Sequence, residues 1–188
     1  MKKFINPKSK IKTKNVFIGE GTRINGEILI HGKGSVKIGK YCAFGYGIKI
    51  ICTNHSTEFA NQQLYLQRKI GAKELEYSKK NNKNNFSVNI GNNVWLGNNV
   101  VILSGVEIGD GAVVGAGSIV SKNILPYSIN AGVPSKQIKL RFKKNVINFL
   151  SKLKWWDWSY SKIKKNKNIF NLNLKNINSK QLNKIKIL

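Results

Sequence analysis

Aliphatic residues recur at every sixth position between residues 90 and 125. The series is Ile90, Leu96, Ile102, Ile108, Val114 and Val120, and glycine follows four of its members. A period of six matches neither a helix nor a simple alternating strand. It is typical of a parallel β-helix, in which each face of a three-sided coil takes about six residues. We expect the aliphatic residues to point inward, the Gly or Asn after each to adopt the positive φ that turns a corner, and small residues to fill tight positions, such as Ala112, Ala116 and Ser118.

The same period begins earlier in the chain and is then interrupted. The earlier members are Ile18, Ile24, Ile30 and Val36, followed after a slip of two residues by Ile38, Phe44 and Ile50. The polar stretch 53–87 has no such pattern. We therefore expect a lead-in over 1–15, irregular or with one short strand, and a β-helix over 16–134 that contains an inserted loop over 53–87. A loop of about 35 residues inside a compact domain is uncommon and usually functional.

Helical spacing replaces the period of six after Pro134. Apolar residues over 141–154 predict an amphipathic helix, and a second short helix is expected near 159–166. Between them, Trp155, Trp156 and Trp158 are expected to anchor the helix on the coil. We expect the tail either to form a short helix near 178–186 or to be loosely held. Residues 135–188 thus form a helical appendage to an all-β domain.

The charge is strongly basic and uneven. Lys and Arg number 33 against 8 Asp and Glu, a net charge of +25. The Lys, Asn and Ile content is what an AT-rich genome produces, yet residues 136–188 hold fifteen basic residues and one acid, Asp157. Such a field attracts anions: the phosphates of a cofactor, an acidic polysaccharide or a membrane face. No nucleic-acid-binding motif accompanies it, so a nucleic-acid partner is not expected.

The two cysteines and two histidines limit the possible chemistry. Cys42 and Cys52 form no CxxC pair, and reduced thiols in a cytoplasmic protein are expected. Cys52 suits a small buried position, and neither cysteine is placed like a nucleophile. His31 and His55 are too few for a zinc site with three histidines, so no metal is expected. The basic N-terminus has no apolar stretch behind it and does not predict a signal peptide.

His55 is the candidate base. It stands in CTNHSTEF, where the coil breaks off and the long loop begins, whereas His31 lies inside the first repeats on a turn or outer face. A neutral imidazole can take a proton from a hydroxyl or an amine near neutral pH. Thr53, Asn54 and Glu58 are nearby polar candidates for orienting it.

A resemblance to a known family rests on the motifs VWLG, GAGS, SK and AGVPSK, which occur in that order over residues 88–142. This stretch resembles the hexapeptide-repeat acyltransferases, left-handed β-helix trimers that use acetyl-CoA and have active sites at subunit interfaces. The Asn54-His55 pair, followed after the coil by RF and KWWDW, resembles the xenobiotic acetyltransferase branch, which also includes polysaccharide O-acetyltransferases. The polar loop, with its run KKNNKNN, departs from the antibiotic-modifying members, and this leaves the acceptor open.

The resemblance implies roles for individual residues. It makes His55 the catalytic base and puts Trp95 near the active site. Asn54 and Glu58, as polar residues close to His55, are the candidate acceptor contacts. The cofactor residues that it implies are Asn98, Ala116 and Ser118 along the pantetheine arm, Ser121 and Lys122 further along, and Lys136, Lys139 and Arg141 near the phosphates. Coil packing also explains the small size of Ala116 and Ser118.

The expected function is O-acetylation of a sugar hydroxyl from acetyl-CoA, in the synthesis of surface polysaccharide such as capsule or lipopolysaccharide, without a covalent intermediate. The alternatives are N-acetylation of a nucleotide-linked amino sugar, acetylation of an antibiotic of the chloramphenicol or streptogramin type, and a non-enzymatic scaffold. The expected partners are two further copies of the chain, a glycan acceptor and, through the basic C-terminus, an anionic membrane or glycan surface.

Overall fold

A computed structural model describes residues 1–13, 15–55, 57–72 and 86–188. Most of these residues form short strands separated by tight turns. In chain order the strands are β1 (Phe4–Ile5), β2 (Lys10–Lys12), β3 (Val16–Ile18), β4 (Arg23–Ile24), β5 (Ile28–Gly32), β6 (Val36–Ile38), β7 (Ala43–Phe44), β8 (Ile48–Cys52), β9 (Val88–Ile90), β10 (Trp95–Leu96), β11 (Val101–Ile102), β12 (Glu107–Ile108), β13 (Val113–Val114), β14 (Ile119–Val120), β15 (Ser128–Ala131) and β16 (Lys136–Leu140).

Within the described part of the chain, the strands stack into three sheets, which are the faces of a parallel β-helix. Face A has the order β1-β4-β7-β10-β13-β15-β16, face B is β14-β11-β8-β5-β2, and face C is β12-β9-β6-β3. Neighbouring strands pair in parallel except β15 with β16, where the chain turns back through a cis Val133-Pro134 bond. The chain passes from A to B to C in every coil. We name the corners the AB edge, the BC edge and the CA edge.

The interior of the coil is a column of aliphatic side chains. Each residue of the sixfold series is buried, from Ile18 to Val120, and Phe44 lies among them at 1% exposed. The structure also shows where the two additional residues of the slip lie. Val36 and Ile38 are both inward on β6, so the additional residues fall at the BC edge before it. The prediction of a β-helix with inward aliphatic residues is confirmed.

The glycines after the aliphatic residues are required for a different reason than the expected positive φ. Positive φ occurs two residues later, at Asn93, Asn99, Gly111 and Gly117, and not at the glycines themselves. A Cβ on Gly97 would lie 2.6 Å from the backbone nitrogen of Ala116 in the next coil. These glycines are therefore required by the close stacking of coils, a constraint that no local sequence pattern reveals.

The coil begins earlier than the expected start near residue 16. Strand β1 pairs with β4 on face A, and β2 pairs with β5 on face B. Ile11 pairs in register with the buried Ile30, and it is itself 41% exposed. The sixfold pattern does not mark this first coil because it is the end of the column, where side chains are covered from one side only.

The chain after the coil is helical, as predicted. Its helices are α2 (Lys144–Leu153), α3 (Tyr160–Lys165), α4 (Lys167–Phe170) and α5 (Ser179–Asn183), with a 3₁₀ turn over Trp155–Asp157. The inserted loop holds α1 (Leu64–Lys69). Val146 and Leu150 of α2 are buried in a second cluster with Trp156, and the Trp155 ring lies 5.0 Å from that of Tyr41 on the coil. The tryptophans thus anchor the helices at the CA edge. Of the helices that the structure describes, none has the length and hydropathy to cross a bilayer.

Candidate functional site

His55 lies at the BC edge, just past the end of β8. Its side chain is exposed, and its backbone N–H donates to Asn54 Oδ1 at 3.0 Å. This bond joins adjacent residues at the point where the chain leaves the coil. Thr53 comes directly before, and its Oγ1 is buried with no hydrogen-bond partner among the residues that the structure describes. Glu58 is exposed further along the loop.

The preceding coil forms a seat for this loop. The turn over residues 33–35 sends the N–H groups of Lys33 and Gly34 to the carbonyl of Cys52, at 3.0 and 2.9 Å. At the other end of the loop, Ser35 Oγ lies 2.9 Å from Ser87 Oγ. One short turn therefore contacts both ends of the loop that carries His55. Sequence analysis missed this role, although the run HGKGS, which interrupts the sixfold series, was a signal for it.

Gly34 provides a direct test of the seat. A Cβ at this position would overlap the carbonyl of Phe86, a backbone atom that has no flexible way to move aside. We expect Gly34→Ala to lower catalytic activity severalfold by displacing the base of the loop, while the far end of the coil keeps its structure. Activity and hydrogen exchange at residues 48–52 and 101–120 would be compared. Loosening of both segments together would contradict a local effect.

The small residues Asn98 and Ala116 form the AB edge in successive coils. The carbonyl of Asn98 accepts from the Gly117 N–H at 2.8 Å, and Asn98 Oδ1 accepts from the Tyr46 N–H at 2.9 Å. Asn98 and Ala116 are both exposed. On face A beside them, Trp95 is 58% exposed between Ala43 and Val113. An exposed indole next to an edge of small residues offers a surface on which an extended ligand can lie.

Ser118 faces the interior instead. It is fully buried, its hydroxyl donates to Gly115 O at 2.6 Å, and it accepts from the Gly132 N–H at 3.2 Å. Of the two interpretations of this residue, the structure supports coil packing. Its side chain does not reach the edge where Ala116 is exposed.

The remaining candidate cofactor residues lie at different edges of the coil. Lys136 pairs with Ala131 at the AB end of β16, and Lys139 pairs with Ile129 further along the strand. Ser121 and Lys122 follow β14 and are exposed at the BC edge, two strands from β8 on face B. At a strand spacing of about 4.8 Å, Ser121 lies on the order of 10 Å along the coil axis from the start of the loop.

Face B separates these two groups within one chain. Strand β8 spans five residues from the AB edge to the BC edge, a length of about 16 Å at 3.3 Å per residue. Trp95, Asn98 and Ala116 lie near one end of this span and His55 lies at the other. One copy of the chain therefore does not bring the candidate base to Trp95, Asn98 and Ala116.

Comparison with known proteins decides the family. The family model described as bacterial transferase hexapeptide (six repeats) matches residues 87–122. A probable macrolide acetyltransferase of Lysinibacillus sphaericus is 40% identical over 128 residues, which cover 67% of this chain and 71% of that protein. This chain belongs to the hexapeptide-repeat acetyltransferase family.

Two further relatives of this hexapeptide-repeat acetyltransferase show different acceptors in their names. A chloramphenicol acetyltransferase of Klebsiella aerogenes is 35% identical over 134 residues, covering 68% of this chain and 61% of that protein. The structure of a galactoside acetyltransferase in complex with coenzyme A is similar with a TM-score of 0.57 and 28% identity, covering 77% of this chain and 66% of that one. The family is thus shown, and the acceptor differs among its members.

Arg141 lies apart from the other basic candidates of the acetyltransferase. Its backbone N–H donates to Tyr127 O at 2.8 Å at the CA end of β16, and its guanidinium donates to Gly111 O at 2.6 Å. Burial lowers the pKa of this guanidinium, and the nearby Tyr127 partly offsets the effect. The expected grouping of Arg141 with Lys136 is not observed, because the extended strand β16 begins at Lys136 and ends next to Arg141.

The cysteines of the acetyltransferase are buried inside the coil. Cys42 and Cys52 are 2% and 0% exposed, and burial raises the pKa of each thiol to about 11. A raised pKa keeps a thiol neutral at neutral pH, and the thiolate is the nucleophile. Within the described ranges, no group of three or more His, Cys, Asp or Glu side chains could hold a metal ion.

We expect both thiols to be unreactive in the folded protein. At pH 8 a disulfide reagent such as dithionitrobenzoate should modify them at least tenfold more slowly than in the urea-unfolded chain, because their pKa lies about three units above that pH. Stoichiometric labelling of the folded enzyme within minutes, with activity lost in step, would contradict this and would reopen a covalent mechanism.

Proposed function

We propose that this acetyltransferase transfers the acetyl group of acetyl-CoA to a hydroxyl of a sugar, in the synthesis of a surface polysaccharide. The observation that carries this proposal is the position of His55, exposed at the root of a long loop and held by a turn of the preceding coil. A base at this place can meet an acceptor held by the loop. The family membership supplies the acyl-transfer chemistry.

The active site is assembled from two copies of the chain. The candidate base lies at the BC edge, and the pantetheine candidates Asn98 and Ala116 lie at the AB edge, about 16 Å away across face B. A cyclic assembly that packs the BC edge of one copy beside the AB edge of the next joins them, and three copies close such a ring. We propose a homotrimer, with each groove between subunits holding one acetyl-CoA.

The acetyl group passes directly from coenzyme A to the acceptor. His55 takes the proton of the acceptor hydroxyl while its oxygen attacks the thioester carbonyl carbon. The resulting oxyanion is stabilised by backbone N–H groups, and the C–S bond then breaks. The proton passes from His55 to the coenzyme A sulfur, which leaves an acetyl ester and free coenzyme A. The burial of both cysteines supports direct transfer without an acetyl-enzyme.

The cofactor contacts follow the groove. Asn98 and Ala116 line the pantetheine arm at the AB edge, beside the exposed Trp95, and Lys136 and Lys139 take the phosphates at the end of the coil. Ser121 and Lys122 are contributed at the BC edge.

Acetyl-CoA should raise the melting temperature of the protein in a thermal-shift measurement. A chain that acted only as a scaffold would show no shift.

Loss of a phosphate contact should weaken the binding of acetyl-CoA. We expect Lys136→Ala to raise KM for acetyl-CoA about three- to tenfold with little change in kcat, because the phosphates lie away from the reacting carbonyl and contribute equally to ground and transition states. The matched control is Lys37→Ala, an exposed lysine on face C. Equal effects of the two substitutions would mean that only the overall charge matters.

A polysaccharide acceptor is favoured by the charge of the C-terminal region. The fifteen basic residues against one acid over residues 136–188 attract an acidic glycan or an anionic membrane at which it is made. An antibiotic acceptor is the second candidate, and it is supported by the 40% identity to a probable macrolide acetyltransferase. Acetyl transfer to acidic glycans, nucleotide-linked amino sugars, macrolides and chloramphenicol would be assayed in parallel. Mild base would remove an O-acetyl product and leave an N-acetyl product intact.

A further inference from the structure

The CA edge carries a column of residues with positive φ in which two smaller residues lie between two tyrosines. Tyr41, Asn93, Gly111 and Tyr127 occupy equivalent positions in successive coils. The two tyrosine rings stand under the helical extension: Tyr41 contacts Trp155, and the Tyr127 ring lies 6.4 Å from that of Phe142. The Tyr127 ring covers Gly111, whereas Asn93 lines a space below the helices.

A cavity of about 560 Å³ occupies this space. Its volume lies within the range of small-molecule sites, roughly 300–1,000 Å³. It is separate from the proposed acetyl-transfer groove, because none of the AB-edge or BC-edge candidates among the described residues lines it. Most of its wall is apolar and comes from Phe142, Leu150, Trp155, Ile169, Phe170 and Leu174.

Positive charge is concentrated at this cavity. Arg141 and Lys175 line it, and no acidic side chain does so among the residues that the structure describes. The Arg141 guanidinium has five N–H donors, of which one donates to Gly111 O, and it lies 4.9 Å from the centre of the Phe142 ring. Asp110, which lies near Tyr127, does not line the cavity, and its Oδ1 accepts from the backbone and side chain of Asn92. An anionic group entering the cavity therefore meets cations.

Tyr127 adds a donor. It is 1% exposed, it lines the cavity, and its hydroxyl is buried with no hydrogen-bond partner among the described residues. Burial, together with the nearby Asp110, raises its pKa to about 12, so the phenol keeps its proton at neutral pH. A buried hydroxyl without a partner is costly, and an acceptor oxygen from a ligand would remove that cost.

We infer that this cavity is a second ligand site, which binds an apolar carboxylic acid. The hydrocarbon body of the ligand packs against the aromatic and aliphatic wall, and its carboxylate faces Arg141 and Lys175, with the Tyr127 hydroxyl as a further donor. The site lies between the coil and the helical extension. Its occupation therefore strengthens the attachment of these helices to the coil.

Decanoate and decanol distinguish charge recognition from simple apolar binding. In titration calorimetry on the full-length protein, decanoate should bind at least tenfold more tightly than decanol. Lys175→Gln should weaken decanoate at least threefold, whereas Lys180→Gln, an exposed lysine outside the cavity wall, should leave its affinity unchanged. Absence of decanoate binding, or equal effects of the two substitutions, would overturn the inference.

Two further measurements locate the bound ligand. Arg141→Gln should weaken decanoate about tenfold; if this variant fails to fold for want of its bond to Gly111, the surface substitution Lys175→Gln decides the case. Saturating coenzyme A should change decanoate affinity by less than twofold. Competition between them would place decanoate in the pantetheine groove and would refute a second site. If the protein bound no coenzyme A, the proposed function would fail, and the lysine comparison would still test the cavity.

Discussion

Replacing His55 by alanine should reduce acetyl transfer by about 10²–10⁴-fold, the usual contribution of a general base. The loss should appear in kcat, because the proton of the acceptor hydroxyl then has no base to accept it as the oxygen attacks. The His55 side chain is exposed at the loop root, so its removal should leave the fold and the assembly unchanged. Steady-state kinetics with acetyl-CoA and an active acceptor would measure the effect.

His31 provides the matched control. It is the other histidine of the chain. It lies half-buried on β5, where it pairs with Ile51 of β8. His31→Gln should keep activity within about twofold. Size-exclusion chromatography and circular dichroism would show that both variants are folded and assembled. A His55→Ala enzyme with more than half of the normal activity would refute the assignment of the base.

Truncating Phe44 to alanine should lower the free energy of unfolding by about 3–5 kcal/mol. Phe44 is 1% exposed, and it pairs in register with Ile24 in the coil on one side and Leu96 in the coil on the other. Each coil of a solenoid contacts only its neighbours, so a cavity at Phe44 weakens the stacking on both sides of the loop insertion. Urea denaturation at a fixed protein concentration would measure the change.

Phe17→Ala is the control for this substitution. Phe17 has the same side chain on β3, but it is 59% exposed. It should cost less than about 1 kcal/mol, because its ring is already largely in water. A similar loss of unfolding free energy in both variants would contradict the prediction, because it would mean that the inward orientation of Phe44 does not cause the destabilisation.

Most of the coil could be predicted from the sequence. Sixfold spacing alone determines which side chains point inward, because a three-sided coil returns to the same orientation once per face. The interruption after Cys52 located the loop, and the helical spacing after Pro134 located the appendage. Residues 56 and 73–85 of the polar loop lie outside the described part of the chain, and the second of these gaps includes the run KKNNKNN.

Contacts between coils could not be predicted in this way. The seat under the His55 loop joins residues 33–35 to Cys52 and Ser87, and the cavity at the CA edge depends on Tyr127, Arg141 and the helices together. These groups are far apart in sequence, and no local period relates them. The family resemblance grouped Arg141 with Lys136, whereas the extended strand β16 separates them.

The sequence by itself determined the β-helix, its inward column and the position of His55 where the column stops, because these features follow from a local repeat and its interruption. Only the tertiary structure decided which edge each candidate occupies. It placed His55 at the BC edge, Asn98 and Ala116 at the AB edge, and the helical extension at the CA edge. The physical reason is that an edge is formed by residues from successive coils, and their neighbours are set by stacking and not by order along the chain.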